Sequence, residues 1–286
     1  MTAGAQIGRP ISERDLYRGF NPLAGAVLRW WKRWAVQVDP RPGTQGALRS
    51  LDTHLTVGNA VVFIDHHYAF DALPLALGLG GVLKQVHDVL IPYAAHLDMR
   101  VDPQGFPSLR YRLRTWAFHK LVQGIERGAP GVRFLPIARD FELANPRLSA
   151  ILDQMHQGVN TRYLRALVEM FTQHPAGYAL MLAPMAGLAL PQKPVLHPQL
   201  YRSLEMVRSR YEAALPFYFV GAYPRWNVHI NYFAPLLARH LLVALDRFEL
   251  PRGDYDRATA AVAEQLRTLR QSAGFMEPDY SRIKHK

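Results

Sequence analysis

The sequence predicts an α/β fold, with a mostly parallel sheet flanked by helices and an N-terminal amphipathic helix ahead of it. Three observations predict it. Short apolar runs alternate with helix-length segments from residue 44 almost to the end. The runs are apolar throughout rather than alternating, as strands buried on both faces are. And 49% of the 286 residues are hydrophobic, enough for a sizeable core.

Taken in order, residues 1–19 are polar and read as a loosely ordered tail. Asn21-Pro22 has the form of an N-cap followed by proline at the first helical position. In the stretch LAGAVLRWWKRWAVQ that follows, helical spacing puts Leu23, Val27, Trp30, Trp31 and Trp34 on one face and Arg29, Lys32 and Arg33 opposite. Tryptophan beside an apolar face, with basic residues across from it, suits a helix lying in a membrane interface. The same pattern also suits a helix packed on a domain. DPRPG at 39–43 breaks the chain. The expected organisation is therefore a tail and interfacial helix over residues 1–42 and an α/β domain over 43–286. Within the domain, helices are expected at 44–55, 71–86, 108–127, 146–173, 198–213 and 254–273. Strands are expected at 60–64, 88–94, 132–138, 178–184, 216–223 and 240–248. For the helix at 108–127 the periodicity gives Leu113, Trp116, Ala117, Leu121 and Ile125 as the apolar face.

Charge and composition narrow the function. The net charge is +11, and arginine supplies nearly all of it, since only six lysines occur. A basic surface suits phosphates, anionic headgroups, acidic carrier proteins or nucleic acid. The arginines are scattered and no zinc-finger or RNA-recognition signature is present, so no nucleic-acid partner is expected. The absence of cysteine excludes disulfides, thiol nucleophiles and thiolate metal sites. No serine has glycine at both −2 and +2, so there is no nucleophile elbow. Residues 1–19 lack the apolar core of a secretory signal. No stretch approaches the roughly 20 apolar residues that span a bilayer. The expected location is cytoplasmic, peripheral at the inner face of the membrane.

The stretch VVFIDHHYAFDAL, residues 61–73, holds the most chemistry. An apolar strand ends in Asp65-His66-His67, and Asp71 stands where the next helix should begin, with Pro74 tolerated in its first turn. Ligand sites in such sheets gather where strands end. If the loop folds back over the helix start, Asp71 accepts the Nδ1 proton of His66, leaving Nε2 as a general base. The spacing alone is weak. With 12 His and 14 Asp, His-x4-Asp is expected about 0.6 times by chance, and it occurs once. The plain alternative is a capping aspartate and a polar loop histidine.

The wider pattern resembles the glycerolipid acyltransferase family, which includes the lysophosphatidic acid and glycerol-3-phosphate acyltransferases. The family's first block is His-x4-Asp after an apolar strand, here VVFIDHHYAFDAL. GVRFLPIARDFE is similar to the second, with Arg139 at its arginine. LMLAPMAGLALP has the place of the third, with Pro184 and Gly187 but without its acid or arginine; Leu188 stands where the arginine would be. ALPFYFVGAYP is similar to the fourth, and the resemblance runs in order over residues 45–273. Asp65 replaces the family's usual asparagine before the histidine. The resemblance implies an O-acyltransferase with His66 and Asp71 catalytic, and with Arg139, Pro184 and Gly187 binding substrate. It implies no cofactor or metal, only acyl-CoA or acyl carrier protein as co-substrate, a lipid acceptor, and a membrane surface met through residues 22–36. The altered third block leaves two alternatives open: an acceptor that is not a simple phosphate ester, and a catalytically silent lipid-binding member. A metal hydrolase drawing on Asp65, His66, His67, Asp71, His87, His96 or Asp98 is a more distant rival. His229 and Asn231 receive no role.

Overall fold

A computed structural model describes residues 9–66, 72–94, 109–138, 158–173, 176–185, 195–211, 215–224 and 241–275. In chain order the elements are α1 (Glu13–Arg18), α2 (Pro22–Ala35), β1 (Val36–Val38), α3 (Pro42–Leu55), β2 (Ala60–Asp65), α4 (Ala72–Leu79), β3 (Asp88–Ala94) and α5 (Leu109–Gly128). Then follow β4 (Val132–Ile137), α6 (Val159–Gln173), β5 (Tyr178–Leu182), α7 (Pro198–Arg210), β6 (Phe217–Pro224), β7 (Leu241–Phe248) and α8 (Tyr255–Ala273). The strands form one seven-stranded sheet in the order β1-β7-β6-β2-β5-β3-β4. Strands β2 to β6 run parallel, β7 is antiparallel to β6, and β1 is parallel to β7.

Strand β2 lies at the centre because every residue of AVVFID is buried, and only a strand covered on both faces tolerates that sequence. Its side chains alternate between two cores. Ala60, Val62 and Ile64 join a core covered by α1 to α5, while Val61 and Phe63 join one covered by α6, α7 and α8. Phe63 packs against Phe217, Phe219 and Phe248, with ring centroids 5.2–5.8 Å apart.

The N-terminal region differs from the expected loose tail. Ser12 and Asp15 form a reciprocal cap at the start of α1, and Asp15, Leu16 and Tyr17 are buried. The reason lies across the fold, in the glycines of α5. A Cβ on Gly19 would stand 1.9 Å from the Gly124 carbonyl oxygen and 2.5 Å from the Gly128 nitrogen. The chain after α1 therefore meets α5 backbone to backbone, which only glycines permit. Helix α2 starts as expected, with the Asn21 side chain accepting from the Ala24 N–H at 2.8 Å. Its faces are not quite those expected. Trp31 is buried beside Gly25 and Ala35, while Leu23, Val27, Trp30 and Trp34 remain exposed. Lys32 turns inward to pair with Glu13 of α1 at 2.8 Å.

DPRPG links β1 to α3, and both elements pack on the same sheet. Asp39 is buried there and accepts from Arg41 and Thr44. The helix expected over 71–86 ends at Leu79, where Gly80-Gly81 breaks it. Among the described residues no helix is long and apolar enough to cross a membrane.

Candidate functional site

Strand β2 delivers its last residues to the carboxyl edge of the sheet. Asp65 is the final residue of the strand and is 2% exposed; His66 follows it, half-buried. A carboxylate at the end of so apolar a strand needs partners that are themselves charged or polar. Arg270 of α8 provides them, donating from Nε to Oδ2 at 2.8 Å and from Nη2 to Oδ1 at 2.9 Å. The Tyr223 hydroxyl donates to Oδ2 at 2.8 Å. This forked, charge-assisted pair ties the end of β2 to the last helix of the chain.

Gly221 makes the tyrosine contact possible. It is the register partner of Asp65 on β6, and a Cβ there would lie 2.3 Å from the Tyr223 ring. With no side chain at 221, the ring folds back over the strand and reaches Asp65. Phe275 then packs on Tyr223 with centroids 4.9 Å apart. The backbone on which His66 rides is thus held from two sides, by β6 and by α8.

Pro184 lies at the same edge. Phe63 is level with Leu182 on β5, so Pro184, two residues on, is level with Asp65. It is buried, and its carbonyl accepts the His197 N–H at 2.8 Å. The structure therefore places His66 and Pro184 at one edge of the sheet, each just past the end of one of two paired strands. Asp71, Arg139 and Gly187 lie outside the described residues, as do His67, His96, Asp98, Leu188, His229 and Asn231. Helix α4 begins at Ala72, directly after position 71. Strand β4, which precedes Arg139, ends in a clamp: Asn160 of α6 accepts the Ala138 N–H and donates to the Ala138 carbonyl, both at 2.9 Å. It is three strands from β2, about 14 Å across the sheet.

Two of the residues named for a metal site are placed where they do not support one. Both oxygens of Asp65 accept from Arg270, whose guanidinium occupies the position a cation would take. His87 precedes β3 at the opposite edge, level with Gly58 through the pairings of Asp88 with Tyr178 and of Ala60 with Ala179. That is eight residues of strand from His66, roughly 25 Å. Among the described residues no group of three or more His, Asp or Glu is placed to hold a metal ion. A surface hollow of about 660 Å³ between α1 and α2, lined by Ser12, Glu13, Arg14, Tyr17, Arg18 and Arg29, contains none of the candidate residues.

Arg270 and Tyr223 were not singled out by the sequence pattern. The one signal that could have found them is the acid at the end of an apolar strand, which demands a partner. With 28 arginines to choose from, the sequence does not say which one answers. No family model matches the chain, and no curated protein does either.

Proposed function

We propose that the chain is an O-acyltransferase, moving a fatty acyl group from acyl-CoA or acyl carrier protein to a hydroxyl of a lipid or glycerol-phosphate-type acceptor. The observation that carries the reading is the place of His66: half-buried, at the carboxyl end of the central strand, six positions before the helix that begins at Ala72. In this reading His66 Nε2 takes the proton of the acceptor hydroxyl, and Asp71 holds the imidazole in the required tautomer. The alkoxide oxygen attacks the thioester carbonyl. The tetrahedral oxyanion is met by backbone N–H groups of the 184–187 loop, where Gly187 allows close approach. The C–S bond then breaks, and the imidazolium proton goes to the leaving thiolate, giving an ester and a free thiol. Arg139 attracts the acceptor phosphate or the acidic donor. The protein would act at the inner face of the membrane, which α2 meets through its exposed Leu23, Val27, Trp30 and Trp34.

Asp65 is not the orienting carboxylate in this scheme, because Arg270 holds it. That leaves the role to Asp71. The second reading is a lipid-binding protein of the same architecture without turnover. It is favoured by the third block, where the acid and arginine are missing and Leu188 stands in the arginine's place.

The test is an acyl-transfer assay with labelled acyl-CoA and labelled acyl carrier protein, offered with bacterial lipid extract and glycerol 3-phosphate. The expected result is label in lipid, lowered by about a thousandfold in His66→Ala and strongly in Asp71→Ala, with unfolding midpoints unchanged. Transfer from neither donor, with wild type and variants alike in lipid binding, would favour the second reading.

A further inference from the structure

Helix α5 leaves a second apolar stripe in water. Leu109, Leu113 and Trp116, one turn apart on one face, are 71%, 57% and 52% exposed. Leu113 and Trp116 were expected on one apolar face with Ile125, and Ile125 is 4% exposed. The helix simply outruns the sheet. The Glu126 carboxylate accepts from the Phe134 N–H near the start of β4, while the Phe118 ring packs on Tyr93 at the carboxyl end of β3, centroids 5.3 Å apart. Helix α5 therefore runs against the strands, and its first two turns extend past the carboxyl edge where Asp65, His66 and Pro184 lie.

Helix α2 reaches the sheet at that same edge. It passes directly into β1, whose first residue Val36 pairs with Leu241, and Leu241 pairs with Pro224, the last residue of β6. Trp30 and Trp34 stack in this last part of α2, with centroids 5.7 Å apart. Both helices pack on the same face of the sheet, on either side of α1.

The charged residues within the two helical segments are all basic. Residues 22–35 contain Arg29 and Arg33 and no acid; the third cation there, Lys32, is paired with Glu13 of α1. Residues 109–121 contain Arg110, Arg112, Arg114 and Lys120 and no acid. Tryptophan and leucine with basic residues and no acids complement an anionic lipid surface.

From this we infer that α5 is a second membrane contact, and that α2 and α5 together dock the molecule on an anionic bilayer with the carboxyl edge of the sheet toward the lipid. The inference rests on the α2 contact proposed above and adds orientation to it. The site then opens toward the bilayer, so the acceptor or acyl chain enters from lipid rather than from bulk water. The amino edge faces away. Val57, 75% exposed in the turn before β2, marks that far edge.

The chain has no cysteine, so single reporters are unambiguous. Val27→Cys, Leu113→Cys and Val57→Cys, each carrying a polarity-sensitive dye, would be mixed with phosphatidylglycerol vesicles and with phosphatidylcholine vesicles. On phosphatidylglycerol, the dyes at 27 and 113 are expected to shift to the blue and to be quenched by lipids brominated in their chains. The dye at 57 is expected to do neither, and all three responses should be weak on phosphatidylcholine. Insertion at 27 but not at 113 would overturn the second contact and leave the α2 contact standing. Insertion at 57 would overturn the orientation. No insertion at any position would overturn both membrane contacts, without bearing on acyl transfer to glycerol 3-phosphate, the soluble acceptor of the assay above.

Discussion

The two ends of the sheet satisfy their buried polar groups in different ways. At the carboxyl edge the central strand closes on a charge pair, Asp65 with Arg270, and the next residue is His66. At the amino edge the same strand is preceded by Asn59, fully buried and neutral. Its Oδ1 accepts the Tyr178 N–H at 3.0 Å, its N–H donates to the Tyr211 hydroxyl at 3.2 Å, and its carbonyl meets His54 Nε2 at 3.1 Å. Neutral amides hold strands at modest cost, whereas a buried ion pair is a costly way to gain stability alone. The contrast teaches that the carboxyl edge holds more polarity than packing requires, and that this surplus lies beside the candidate base.

The largest structural effect expected is at Arg270. Arg270→Ala leaves the Asp65 carboxylate buried without its guanidinium. It should cost about 3 kcal/mol in urea unfolding, toward the low end for a broken buried pair because the Arg270 side chain is 16% exposed. Adding Asp65→Asn to that variant removes the stranded charge and should restore part of the loss. If the double variant were less stable than Arg270→Ala alone, the pair would not be the source of the penalty. Acyl transfer should fall in the single variant as well, because the backbone that holds His66 loses its anchor to α8.

At the amino edge Asn59→Ala should cost less, about 1–2 kcal/mol, since it removes neutral hydrogen bonds to groups already inside the fold. Its catalytic consequence separates the two edges. The turnover per folded molecule should match wild type, because Asn59 is six residues of strand from Asp65, about 20 Å. A drop in turnover comparable to that of Arg270→Ala would erase the distinction between the edges.

The same contrast explains what was legible in the sequence. The apolar runs of β2, β5 and β6 are buried on both faces, so their composition announces them. His66 was legible because it breaks such a run. Helix α1 was not, because six residues give too little periodicity and its burial depends on Gly124 and Gly128, more than a hundred residues away. Strand β1 was hidden because three residues follow α2 without any breaker. What covers the stripes of α2 and α5 was not legible, for a related reason. A hydrophobic period gives a stripe but not what covers it, and Trp31 stands at the stripe's margin, where packing decides. Arg270 was invisible because the choice of one arginine among many is made by tertiary structure.

The smallest effect expected concerns His54, and it tests whether the amino edge responds to pH. Burial lowers the pKa of this imidazole below the ordinary histidine value; the Asn59 carbonyl opposes the shift and Arg247 adds to it. A depressed value means the folded state binds its proton less readily than the unfolded chain. The contribution of neutral His54 is therefore fully present above the unfolded value of about 6.5 and is lost as the pH falls toward the folded one. Urea midpoints measured from pH 8 to pH 5 should decline for wild type, and His54→Gln should decline less over the same window. The ring is half-buried, so the difference should be slight beside that of Asn59→Ala. Parallel curves would mean that the protonated ring swings into water without disturbing Asn59. The amino edge would then be held independently of the charge on His54, unlike the carboxyl edge, where Asp65 is held by its ion pair with Arg270.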